Sequence, residues 1–132
     1  MFGVCLWDAQ AVDEFIHTLT NTTDTTSIHD VLQDTHNEDP KVRSAALGQL
    51  CPCHLRTNVK EAWDRHFEMI RDPDAKVRSI VLHNMCDGSP AAFEADVVGA
   101  VELLTKDSDK KLRRRARKVM AGYRRMGRIN QL

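Results

Sequence analysis

The sequence predicts an all-α protein, an α-solenoid of about three stacked helical hairpins with about seven helices in total. A short phrase recurs every 35 residues, at 39–43, 74–78 and 109–113. A fixed period of this size is typical of a chain that stacks one helical unit repeatedly. Apolar residues recur every three to four positions over most of the chain, and no stretch alternates in polarity as a strand would.

The first two helices are predicted before the first copy of this phrase. Residues 8–20 carry an apolar face and form an N-terminal capping helix, which covers the open end of the stack together with the apolar residues around Trp7. A threonine-rich loop over 18–26 follows. Ser27 then begins the second helix as its N-cap, with Asp30 three residues later in a variant of the capping box.

Proline marks the start of two further helices. The pairs Asp39-Pro40 and Ser89-Pro90 place an N-cap residue before a proline at the first helical position, where a backbone N–H would have no helical partner. The third helix therefore begins at Asp39 and ends near Cys51, and the sixth begins at Ser89. Apolar periodicity and turn residues define the other helices; the fourth, fifth and seventh begin near Asn58, Ala75 and Asp109, and the last ends near Met126.

The hairpins are predicted to form one domain, 1–132, because each has too little apolar surface to fold alone. Repeat units are expected at about 27–52, 57–87 and 89–127. Equivalent positions in the three second helices should have equivalent surroundings. They are Val42, Val77 and Leu112 near the start and Leu50, Met85 and Met120 near the end.

The turn and second helix of each unit resemble the HEAT repeat family, in which an acidic turn precedes a Val-Arg pair. The second and third units have this acidic turn, whereas Asn37 replaces the acid in the first. The resemblance implies HEAT-like hairpins joined by a structural ladder of Asp and Arg side chains. Its members are Arg43, Asp72, Arg78, Asp107 and Arg113. Because an arginine fork can hold its own or a neighbouring turn, a structural role is favoured over ligand binding for Arg43 and Arg78.

Opposite charges are separated along the chain, although its formal net charge is zero. Residues 1–40 contain eight acidic and no basic residues, 41–109 contain eleven acidic and nine basic residues, and 110–132 contain ten basic residues and no acid. The outer face of a terminal helix has to be polar, but it does not need ten positive charges. The repulsion among these charges suggests a polyanionic partner. The candidate binding residues are Arg113, Arg114, Arg117, Lys118, Arg124, Arg125 and Arg128.

The same helix has an apolar stripe that is predicted to pack on the sixth helix. The stripe consists of Leu112, Ala116, Val119, Tyr123 and Met126. Because Tyr123 is placed on the buried side, an aromatic platform for stacking nucleic-acid bases is not expected.

These features favour a non-catalytic binding or scaffold module for a protein partner, which uses the second-helix face and the arginine-rich last helix. The alternative is a nucleic-acid-associated protein, because guanidinium groups match the geometry of backbone phosphates. The opposite end charges also permit self-association. Membrane insertion is not expected, since no apolar run approaches ~20 residues, and a cytoplasmic location is expected because no basic leader is seen.

The cysteines and histidines offer a weaker indication of a metal site. Cys51, Cys53, His54 and Cys86 could supply thiolate and imidazole ligands to zinc. Their spacing lacks paired C-x-x-C units, so buried reduced thiols are favoured and no cofactor is predicted. An enzyme is not expected, because the sequence has no phosphate loop, nucleophile elbow or cluster of carboxylates in the second helices.

Overall fold

The computed structural model describes residues 27–52 and 59–130. Within these residues the chain forms six α-helices, one 3₁₀ turn and no strand, which confirms the all-α prediction. The α-helices are α1 Ile28–Asp34, α2 Pro40–Gln49, α3 Lys60–Met69, α4 Ala75–Cys86, α5 Glu94–Leu104 and α6 Lys110–Met126. The helix predicted at 8–20 lies outside the described residues, as do Cys53, His54 and Asn58.

Side-chain N-caps begin four of these helices, and two of them, Ser27 and Asp39, are the predicted cap residues. Ser27 accepts a hydrogen bond from the backbone N–H of His29 at 3.1 Å. Asp39, Asp74 and Asp109 each accept hydrogen bonds from N–H groups two or three residues later, at 2.8–3.1 Å. These bonds satisfy donors that the first helical turn leaves without a partner, which explains why α2, α4 and α6 start where they do.

The predicted start of the sixth helix is wrong. Pro90 has extended backbone angles, Ala91–Phe93 form a 3₁₀ turn, and α5 begins only at Glu94. The Ser89 hydroxyl does not cap the helix; it donates a hydrogen bond to Asn130 Oδ1 at 3.1 Å. The Ser89 side chain, which the local sequence pattern assigns to the N-cap, is therefore bound by Asn130, 41 residues later.

The helices pack as consecutive pairs in two rows. α1 packs on α2, α3 on α4, and α5 on α6. In one row α4 contacts α2 on one side and α6 on the other, while α3 contacts α5 in the second row. α4 lies at the centre of the described residues, and its Val77, Val81, Leu82 and Met85 side chains are fully buried. A helix enclosed in this way has apolar residues around most of its circumference.

The repeat-equivalent positions are buried to different extents. Val77 and Leu112 are 0% and 1% exposed, and Leu50, Met85 and Met120 are also buried. Val42 is only half-buried. Its helix pair, α1 and α2, has a described neighbour on one side only, so the equivalence holds for the two later units and partly for the first.

One buried amide connects three helices. Asn84 of α4 donates from Nδ2 to the carbonyl oxygen of Leu47 in α2 and to Nε2 of His66 in α3, both at 2.8 Å. His66 in turn donates from Nδ1 to the carbonyl oxygen of Ala62 at 2.6 Å. This pattern requires a neutral imidazole, and burial lowers the pKa of His66 to about 4.

The residues after α6 fold back on the molecule. Gly127 has a φ of 70°, a left-handed conformation that ends α6 and turns the chain. Ile129 is then fully buried in the main core. Asn130 Oδ1 accepts hydrogen bonds from the backbone N–H groups of Gly88 and Ser89 at 3.0 and 2.9 Å, so the turn after α4 is fastened to the chain after α6.

None of the helices in 27–52 and 59–130 combines the length and the apolar character required to cross a bilayer.

Candidate interaction surface on the last helix

The inner side of α6 holds the helix on the core. Leu112, Ala116 and Met120 are buried, and Val119 and Tyr123 are half-buried against the main cluster. Met126 was predicted to continue this stripe, but it is 45% exposed. The apolar contact therefore ends one turn before the end of the helix, next to the left-handed Gly127.

The opposite side of α6 is a continuous cationic surface, which we call the basic face. At 3.6 residues per turn its members span about 140° of the circumference. They are Lys110, Lys111, Arg114, Arg117, Lys118, Arg124 and Arg125, and all seven are exposed. Ala121 is the only uncharged residue within this arc. The helix is about 25 Å long, so the basic face is a narrow strip rather than a broad patch.

No member of the basic face forms an ion pair with the described part of the chain. Arg117 makes one polar contact, from Nε to the carbonyl oxygen of Thr105 at 3.0 Å. Lys110 and Lys111 also lie at the helix N-terminus, where the helix dipole disfavours positive charge, while Arg124 and Arg125 lie at the favourable end. The repulsion within this face opposes folding and is relieved when an anion binds.

Two predicted binding residues are placed differently. Arg113 is half-buried and donates from Nη1 to the carbonyl oxygens of Asp107 and Ser108, at 2.6 and 3.3 Å. It lies beside the basic face and holds its own turn. Arg128 is exposed but follows the end of α6. The five others, Arg114, Arg117, Lys118, Arg124 and Arg125, lie on the basic face.

The arginines between the helix pairs have the opposite environment. Arg43 contacts Asp72 through two parallel hydrogen bonds of 2.8 and 2.9 Å, and Arg78 contacts Asp107 through two of 2.8 Å. Each arginine also donates from Nη1 to carbonyl oxygens of its own turn. Asn37 takes the place of the aspartate in the first turn, where it accepts the same backbone hydrogen bond without carrying charge.

These paired charges are nearly excluded from water. The side chains of Arg78 and Asp107 are 10% and 8% exposed. The hydrogen bonds from Arg78 lower the pKa of the Asp107 carboxyl, and the carboxylate raises the pKa of Arg78. Ser44 and Asn84 on the same helices are also buried. The arginine forks and buried polar groups of α2 and α4 are thus occupied by contacts within the molecule, whereas the basic face of α6 is exposed.

Of the four residues that the sequence suggested as zinc ligands, Cys53 and His54 lie outside the described residues. Cys86 belongs to the core, and burial raises the pKa of its thiol to about 12. Cys51 instead contacts Asp87, with Sγ 3.3 Å from Oδ2. His83 Nε2 lies 3.7 Å from the same oxygen. The period could have indicated this cluster, because a shift of 35 residues places Cys51 beside Cys86 and Asp87.

A shallow apolar groove of about 420 Å³ lies between α3 and α5 in the other row of helices. Phe67, Ile70, Phe93 and the 54%-exposed Leu103 form its floor and rim. It lies on the opposite row from the basic face, so the two surfaces are separate.

No protein-family model, no curated protein and no solved structure matches this chain.

Proposed function

We propose that the chain is a non-catalytic, HEAT-like binding module that holds an acidic surface of a protein partner on the basic face of α6. The observation that carries this proposal is the accumulation of seven exposed cations on one helix, none of which forms an ion pair with the described residues. A surface of this kind favours association with anions and disfavours the isolated folded state.

Helix pairing supports the HEAT-like part of the proposal. The aspartate-capped second helices of adjacent pairs lie side by side, and the arginine at the same position of the first two units reaches the acidic turn of the next unit. This arrangement repeats every 35 residues, as a solenoid of α-hairpins requires.

The overall charge favours a protein over nucleic acid as the partner. The formal net charge is zero, since the ten basic residues of 110–132 are balanced by acidic residues elsewhere, eight of them in 1–40. Nucleic acid carries negative charge along its whole length and is repelled by these acidic segments. A protein with one local acidic patch presents its charge to the basic face alone.

Nucleic-acid binding is the second candidate, and the composition of the basic face favours it. Four of the seven cations are arginines, whose planar forks bind phosphate oxygens in pairs. Tyr123 is half-buried on the inner side of α6. Such binding would therefore depend on phosphates and would vary little with base sequence.

Two charge-matched variants test the proposal. In the first, Arg114, Arg117, Lys118 and Arg125 are changed to Gln, which removes four charges from the basic face. In the control, the exposed cations Lys41, Arg71, Lys76 and Lys106 are changed to Gln, which removes four charges elsewhere. The probes are a poly-glutamate peptide and a DNA duplex of random sequence, each titrated by fluorescence anisotropy over a series of salt concentrations.

We expect the wild-type chain and the control to bind poly-glutamate more tightly than DNA, and the basic-face variant to lose this binding. Stronger binding to DNA, with a log–log salt slope that falls by up to about 4 in the basic-face variant, would instead support the nucleic-acid alternative. Equal losses in the two variants, for both probes, would contradict both functions, because net charge alone would then explain the binding.

A further inference from the structure

Three side chains with metal-binding atoms meet where α2 and α4 end. Cys51 follows α2, His83 lies in the last turn of α4, and Asp87 follows α4. The thiol sulfur, one imidazole nitrogen and one carboxylate oxygen all lie within 4.8 Å of one another. The cluster is nearly excluded from water, since Cys51 is 3% exposed and the side chains of His83 and Asp87 are 12% and 7% exposed.

The spacing of these atoms fits a tetrahedral zinc ion. Zinc binds sulfur at about 2.3 Å and nitrogen or oxygen at about 2.0–2.2 Å, so its ligand atoms lie roughly 3.3–3.6 Å apart. Cys51 Sγ is 3.3 Å from Asp87 Oδ2, and His83 Nε2 is 3.7 Å from the same atom. Two of the three ligand pairs are thus at or near tetrahedral spacing, and all three atoms lie within 4.8 Å of one another.

The chemistry of the three ligands also favours zinc over other ions. A thiolate and an imidazole suit a borderline-soft ion, whereas Mg²⁺ and Ca²⁺ prefer oxygen ligands only. Asp87 Oδ2 lies within 3.7 Å of both Cys51 Sγ and His83 Nε2, so the three groups can share one ion.

The charges around the cluster are compatible with a divalent cation. Asp87 supplies one negative charge, and Cys51 supplies a second when its thiol releases a proton to solvent on metal binding. The positive charge of Arg115 acts on His83 and opposes a cation here, and the two negative charges of the ligands offset it. Arg115 reaches Ser79 of α4 at 3.4 Å and is not one of the three ligands.

We propose that Cys51, His83 and Asp87 bind one zinc ion, which fastens the end of α2 to the end of α4. The ion would join two adjacent helix pairs at the opposite end of the second helices from the Arg43–Asp72 contact. The proposal is independent of the basic face, because none of its ligands lies on α6.

The test uses the full chain, reduced and freed of metal, with Zn²⁺ and Co²⁺ as probes. For the wild type we expect one equivalent of Zn²⁺ to bind in competition with a chromophoric chelator and to raise the melting temperature. Co²⁺ should give the near-ultraviolet band of a thiolate–cobalt bond. In Cys51→Ser the band should disappear and zinc affinity should fall by more than about 100-fold, since loss of an outer-shell partner alone costs about 10–100-fold.

Cys86→Ala is the matched control, because it removes the thiol next to Asp87 but leaves the three ligands in place. It should retain the cobalt band and the zinc affinity. Loss of the band in this control, or its retention in Cys51→Ser, would overturn the assignment of ligands. The wild-type measurements decide the matter even if a variant does not fold, since absence of both the band and the thermal shift would exclude the site.

Discussion

Two groups of arginines in this molecule have different environments. One group lies between the helix pairs, and the other lies on the basic face of α6. Arg78 is fixed by two bonds to the Asp107 carboxylate and one to a carbonyl oxygen. Arg114, in α6, is exposed and forms no ion pair with the described residues. The first arginine stabilises the fold, whereas the second is available to another molecule.

A count of basic residues therefore does not identify a binding surface. Arg113 was predicted as both a ladder residue and a binding residue, and its contacts lie with its own turn. The useful criterion for a binding arginine is whether its guanidinium already donates hydrogen bonds to a carboxylate or carbonyl group of the same chain.

The largest expected effect comes from Arg78→Ala. It leaves the nearly buried Asp107 carboxylate without its partner, and removal of one member of a buried ion pair costs about 3–5 kcal/mol. Urea unfolding followed by circular dichroism measures the loss. Arg114→Ala is the matched control on the basic face and should change the free energy of unfolding by less than about 0.5 kcal/mol. Similar values for the two variants would abolish the distinction between the two groups of arginines.

A pH titration distinguishes the contribution of the Arg78–Asp107 pair to stability from the contribution of the buried His66. The folded-state pKa of His66 is lowered to about 4 from 6.5, so between these values the unfolded chain binds a proton that the folded chain does not. Stability should therefore be complete above pH 6.5 and fall by about 3 kcal/mol as the pH decreases to 4. The Asp107 carboxyl also has a lowered pKa, so its contribution is present above its ordinary value of 3.8 and is lost only at lower pH.

His66→Gln is the control for this titration. It keeps a side-chain acceptor but has no group that titrates between pH 4 and 6.5. The variant should be less stable at neutral pH and should show a much smaller slope of unfolding free energy in this range. An unchanged slope would mean that another group causes the acid sensitivity.

The smallest expected effect concerns salt. Because the cations of the basic face repel one another, added salt should stabilise the wild-type chain slightly, by roughly 0.5–1 kcal/mol between low and physiological ionic strength. The variant with Gln at Arg114, Arg117, Lys118 and Arg125 should show a flatter dependence. Thermal unfolding at several salt concentrations measures both. A steeper dependence in the variant would show that these charges stabilise the folded chain.

Features encoded within one unit could be predicted from the sequence. The aspartate N-caps, the acidic turns and the arginine six residues after each turn depend on neighbours a few residues away, and the period repeats them. Contacts between distant segments could not be predicted in this way. Ser89 bonds to Asn130, 41 residues away. This contact depends on how the ends of helices meet after packing, which local patterns do not specify.

The fastening of Asn130 to the turn after α4 has a consequence for synthesis. Ribosomes make the chain from its N-terminus, so α4 and its turn are complete well before Ile129 and Asn130 have been added. Until then the nascent polypeptide lacks both the Ile129 side chain that is buried in the core and the Asn130 amide that binds the turn after α4. The turn after α4 is therefore closed only once residues 129 and 130 have been added.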